Sequence, residues 1–124
     1  MSVINGVYAQ NHEGTWELIG ANVNRISNGT SETIHKLTTA EIEKKAIPAT
    51  LEFEKNTVTI TKHRKKSQSR YTPQQGRSAQ ALSDDDSQKK YTFWLADKDT
   101  LVLTSEYDEE DFQGNELRLT YKRK

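Results

Sequence analysis

From Thr50 to Thr61 the chain reads TLEFEKNTVTIT, with Leu51 and Phe53, then Val58 and Ile60, standing at every second position. A period of two sends alternate side chains to opposite faces of an extended backbone, so the pattern fits a β-strand with one dry face rather than a helix. Lys55-Asn56 falls where the two runs must reverse, which makes the segment a β-hairpin. The C-terminal third obeys the same rule: Tyr91, Phe93 and Leu95 define one strand, Leu101 and Leu103 the next, and Leu117, Leu119 and Tyr121 the last. Asp97-Lys98-Asp99 joins the first pair, where Asp side chains can bond the backbone of the turn, and a longer acidic loop, Asp108 to Gly114, joins the second. Near the start, Gly14 to Asn24 opens a strand with Trp16 and Leu18 on one face. Many short strands separated by polar turns point to an antiparallel sandwich or barrel.

One helix is signalled. Thr38 with Glu41 three residues later forms a capping box, Leu37 and Ile42 sit where a hydrophobic staple needs them, and Pro48 stops the helix after Ala46. Thr33 to Leu37 reads as a further, weaker strand. From Arg64 to Gln88 the large apolar residues are Tyr71 and Leu82. The early part can continue as a strand, and about 71–88, with Pro73, Gly76 and Asp84-Asp85-Asp86, reads as a mobile polar loop. A chain of 124 residues has room for one core. The expectation is a single domain over 13–124 behind a short tail, 1–12. Leu, Ile, Val and Phe total only 24 residues, but 18 basic side chains balance 18 acidic ones, so self-repulsion does not oppose a thin core.

The opening Gly14-Thr15-Trp16-Glu17-Leu18, a G-x-W at the head of the first strand, resembles the opening motif of lipocalins and other calycin barrels. Thr50 to Thr61, Tyr91 to Ser105 (YTFWLADKDTLVLTS) and Glu116 to Arg123 (ELRLTYKR) are similar to short bacterial lipocalin-like domains, many of unknown function. The second lipocalin motif, Thr-Asp-Tyr, is absent, and Asn56 stands where these domains often carry Gly. The resemblance implies an all-β fold with one short helix: a small, antiparallel, up-and-down, lipocalin-like β-barrel of about eight strands. It also implies that a basic residue near the end of the last strand packs over the motif Trp and helps close the barrel. Counting by twos from Leu117 through Leu119 and Tyr121 reaches Arg123 on the same face, so Arg123 over Trp16 is the expected lid.

Chemistry is thinly signalled. The absence of Cys removes disulfides, thiolate ligands and Cys nucleophiles. His12, His35 and His63 lack metal-site spacing and are read as solvent-exposed, so no metal and no cofactor is expected. The clusters Asp84-Asp85-Asp86 and Asp108-Glu109-Glu110-Asp111 do not alternate ligands with a Gly turn as a calcium loop does, and read as solvated charge. Lys62 to Lys66 (KHRKK) with Arg70 is a basic patch. Apart from Tyr71 it lacks stacking aromatics, so it reads as a strand end offsetting the acidic loops, and nucleic acid is not an expected partner. No nucleophile elbow or phosphate-cradling loop is present, and the chain is read as no enzyme.

Two functions follow from this reading. In the first, the protein is a non-enzymatic lipocalin-like barrel binding a small apolar or amphipathic ligand, with Trp16, Phe53, Phe93 and Tyr121 as the pocket wall. In the second, it is a secreted or cell-envelope protein-interaction module with a filled core, in which the outward-facing Trp94, the basic run and the polar loop carry recognition. A monomer or weak dimer is expected in either case. No apolar run approaches the roughly 18 residues that span a bilayer. Val7-Tyr8-Ala9, followed by polar Gln10-Asn11-His12, has the small residues a signal peptidase reads, although Met1 to Gly6 supplies only Val3 and Ile4 as strong hydrophobes. A leader remnant implies export to the periplasm or beyond; a simple tail implies the cytoplasm. N-terminal sequencing of protein made from its own locus distinguishes them.

Overall fold

The computed structural model describes residues 12–71, 80–107 and 115–124. In chain order these form β1 (Gly14–Ser27), β2 (Thr30–Lys36), α1 (Thr39–Lys44), β3 (Thr50–Phe53), β4 (Thr57–Lys62), β5 (Lys65–Arg70), β6 (Gln80–Asp84), β7 (Lys89–Asp97), β8 (Thr100–Tyr107) and β9 (Asn115–Arg123). The fold is nearly all β, an antiparallel and nearly closed barrel-shaped sheet. Its staves run β5-β4-β3-β1-β9-β8-β7-β6, with β2 paired to β1 off this path. β1 gives the first half of one edge to β3 (Trp16 opposite Leu51) and the second half to β2 (Arg25 opposite Glu32), while its other edge takes β9 (Trp16 opposite Arg123).

The alternation seen in the sequence becomes the inside of the barrel. Trp16, Leu51, Val58, Ile60, Leu101, Leu103, Leu117, Leu119 and Tyr121 are all fully buried. Each such side chain of Leu or Val size contributes about 1.5–3 kcal/mol relative to exposure. On β1 the alternation slips. A bulge between Leu18 and Gly20 moves the inward phase from Trp16 and Leu18 to Ala21 and Val23, and turns Ile19 out to 61% exposure.

The helix forms where its caps require it. Thr38 accepts a hydrogen bond from the Glu41 amide, and Glu41 accepts one from the Thr38 amide, closing the capping box. His35 binds the same Glu41 carboxylate at 3.1 Å, tying β2 to the helix, and this carboxyl group lies below its usual pKa because of the Thr38 amide and then the His35 hydrogen bond. Past α1, Ile47 and Pro48 are buried, and the Tyr121 hydroxyl donates to the Pro48 carbonyl at 2.7 Å. The segment behind the helix thus stoppers one end of the barrel.

Two expectations are corrected. The stretch of about 71–88 is not one polar loop, because Tyr71 is buried and Gln80 to Asp84 is strand β6, with Gln80, Leu82 and Asp84 facing inward. Composition hides this strand because two of its three inward residues are polar. Pro73 and Gly76 lie outside the described residues, as does the acidic loop from Asp108 to Gly114. His12, expected in the tail, is buried, so the packed domain includes it.

Candidate functional site

At the end where β1 begins, the chain seals the barrel with its own residues. Trp16 Nε1 donates to the His12 carbonyl at 2.8 Å, pulling His12 across the opening. The His12 ring lies edge-on to Phe53 at 5.0 Å and to Phe93 at 5.3 Å, while Phe53 and Phe93 stand 5.3 Å apart. The Tyr71 hydroxyl donates to the Glu54 carbonyl at 3.1 Å, and its oxygen forms a second hydrogen bond with His12 Nε2 at 2.7 Å. Burial, with the charge of Glu13, pushes the Tyr71 phenol up to about 12. His12 was expected in solvent; it is instead a buried, hydrogen-bonded member of the aromatic floor.

Arg123 lies outside this floor, its guanidinium 4.3 Å from the Trp16 ring centroid. It also donates to the Glu13 carbonyl at 2.8 Å and the Lys98 carbonyl at 3.1 Å, so one side chain binds the start of β1, the β7–β8 turn and β9 together. Gly14 makes room for it. Its φ is +120°, and a Cβ there would stand 3.2 Å from Arg123 Nη1, so the glycine of the G-x-W serves both the backbone and the lid.

The four residues read as a pocket wall, Trp16, Phe53, Phe93 and Tyr121, are at most 2% exposed. The structure brings Phe53 and Phe93 together around His12, with Trp16 tied to the same residue through its carbonyl, and holds Tyr121 against Pro48 toward the stoppered end. Ser67 faces the same interior from β5, and its Oγ is the one buried side-chain polar atom without a hydrogen-bond partner among the described residues.

The barrel is not closed by backbone pairing everywhere. The edges of β5 and β6 meet without a ladder, and side chains bridge them: the Asp85 amide donates to Ser69 Oγ at 3.1 Å, and Lys62 Nζ reaches Asp84 at 2.8 Å and Asp86 at 2.9 Å. Lys65 adds a contact to Asp86 at 2.8 Å. Asp84 is almost fully buried, which corrects the reading of the Asp84-Asp85-Asp86 cluster as solvated at that position, and it is the buried Lys62, from the basic run expected to offset the acidic loops, that pairs with it. Burial alone would lower the Lys62 pKa, but hydrogen bonds to Asp84 and Asp86 outweigh it and raise it. Hydrogen bonds from Lys65 and Lys62 hold the Asp86 carboxyl down to about 2. The sequence held a signal for Lys62, since it continues the inward phase of Val58 and Ile60.

A second opening was not anticipated. β7 and β8 pair from Asp97 opposite Thr100 to Thr92 opposite Thr104, and there the ladder stops. β7 continues to Lys89 against β6, and β8 continues to Tyr107 against β9. The two strands splay, and a cleft of about 780 Å³ opens between them. Lys89 and Lys90 form one lip, Glu106 and Glu116 the other, with the half-exposed Ile26 at the rim. Glu116 is engaged by Arg118 at 3.2 Å, whereas Lys89, Lys90 and Glu106 form no ion pair among the described residues. On the outer face nearby, Trp94 is half-buried with the Arg118 guanidinium 5.6 Å from its ring centroid. No group of His, Asp and Glu able to hold a metal occurs among the described residues, and no helix there is long and apolar enough to cross a membrane.

The class defined by this geometry is the small antiparallel β-barrel capped at both ends by its own chain. No family profile and no curated protein matches the sequence.

Proposed function

We propose that this protein is a non-enzymatic interaction module that recognises a protein partner on the outside of a filled lipocalin-like barrel. The observation that carries the reading is the packing of Trp16, Phe53, Phe93 and Tyr121: each is sealed from solvent, and the interior near Phe53 and Phe93 is occupied by the His12 ring. A wall whose residues touch one another has little room for a guest, whereas ligand sites typically enclose about 300–1,000 Å³. The exterior carries what the interior lacks. It offers Trp94 backed by Arg118, an exposed Ile19, and a cleft whose lips bear opposite charges, of which Lys89, Lys90 and Glu106 form no ion pair among the described residues.

A second reading keeps a small apolar or amphipathic ligand inside the barrel. It is favoured by the unpartnered Ser67 Oγ, which together with Ser69 leaves the wall beside β5 lined by small side chains. Native mass spectrometry of protein purified gently from its own source separates the two. A bound second chain with no small molecule supports the interaction module; a lipid or pigment bound one to one overturns it in favour of the second reading.

A further inference from the structure

We propose that the cleft between β7 and β8 receives an extended peptide of mixed charge as an added strand. The inference rests on the exterior-recognition reading and names the chemistry of its partner. Where the ladder stops at Thr92 and Thr104, residues 89–91 keep β6 as their only ladder neighbour among the described residues, and residues 105–106 keep only β9. In a strand, backbone donors and acceptors project from both edges, so each splayed segment turns toward the cleft an edge that has no ladder partner among the described residues. An extended chain satisfies such edges by main-chain hydrogen bonds and gains its specificity from alternate side chains.

The lips say which side chains. Lys89 and Lys90 on β7, and Glu106 across the gap on β8, form no ion pair among the described residues. A peptide with an acidic residue toward β7 and a basic one toward β8 neutralises both lips, and reversing this charge order sets like charges against each other. Ile26 gives an apolar neighbour at the rim, 48% exposed and suited to a β-branched side chain. The cleft, at about 780 Å³, suits a short extended segment rather than a folded domain.

The test uses the intact chain and three blocked synthetic peptides of alternating Thr and Val. One carries Glu and Lys placed for the two lips, one has these two exchanged, and one is uncharged. Amide chemical shifts and hydrogen exchange are followed by NMR. The expected result is shift and protection at residues 89–91 and 105–106 with the first peptide, weakened about tenfold by Lys90→Glu. The double variant Lys90→Glu with Glu106→Lys then prefers the exchanged peptide. If neither charged peptide protects these amides, or the double variant keeps the original preference, the proposal is overturned. That failure leaves the interaction reading intact wherever native mass spectrometry still finds a second chain on the protein. A co-purified lipid, by contrast, removes the interaction reading itself.

Discussion

Replacing Lys62 with methionine tests whether the seam between β5 and β6 is held by buried charge. The lysine contacts Asp84 at 2.8 Å and Asp86 at 2.9 Å, and its side chain is 4% exposed against 1% for Asp84. Methionine keeps the length of the side chain and its apolar stem, so packing changes little. What is lost is the partner of Asp84, which among the described residues retains the Asp86 amide on its Oδ1 at 3.1 Å. Breaking one side of a buried pair costs about 3–5 kcal/mol, because the remaining charge stays desolvated. At this chain length that corresponds to a fall in Tm of roughly 10–20 °C. The assay is urea unfolding followed by Trp fluorescence, repeated on Lys62→Met combined with Asp84→Leu, which replaces the pair by apolar volume and is expected to recover most of the loss. A single variant within about 1 kcal/mol of the parent, or a double variant no better than the single, refutes the buried-seam argument.

Four further outcomes are expected. Asp86 is held near 2 in the fold against an ordinary 3.8, so its contribution to stability is present above about pH 4 and is lost as pH falls toward 2; Asp86→Asn flattens that part of the stability–pH curve. Tyr71 is raised to about 12, so its contribution holds below pH 10 and is lost between pH 10 and 12, and phenolate absorbance shows its ionisation later in folded than in unfolded protein. Arg123→Ala removes the Trp16 stacking and two hydrogen bonds to carbonyls, lowering stability by about 1–3 kcal/mol and altering Trp emission in a urea titration. Ala46 follows the helix at φ +53°, a conformation Gly adopts freely, so Ala46→Gly raises stability by about 0.5–1 kcal/mol in thermal unfolding, and a loss instead argues against this helix end.

Local features were legible in the sequence. The Leu51–Ile60 hairpin and the Thr38–Glu41 capping box each depend on residues a few positions apart, and both appear at the expected places. Strand β2 was only partly read, although Asn28-Gly29, with φ of 50° and 80°, is a hairpin turn whose residue types already permit those angles. Strand β6 was hidden for a different reason. Gln80 and Asp84 look like loop residues until Lys62, 22 positions before Asp84, supplies the buried counter-charge. His12 was misread for the same cause, since Tyr71 lies 59 positions away. The β7–β8 cleft could not be read at all, because no residue type marks where a ladder stops pairing while both strands continue.

The pairing of β1 with β9 sets an order of events during synthesis. β1 leaves the ribosome before the other strands and pairs along one edge with a strand about a hundred residues later, so that edge stays open until β9 has emerged. The side chain that stacks on Trp16, Arg123, arrives at the end of β9. Until then the indole has its wall neighbours but no lid. A nascent chain halted within β8 therefore carries an unsatisfied strand edge beside its bulkiest apolar residue, the surface most open to chaperones and to self-association.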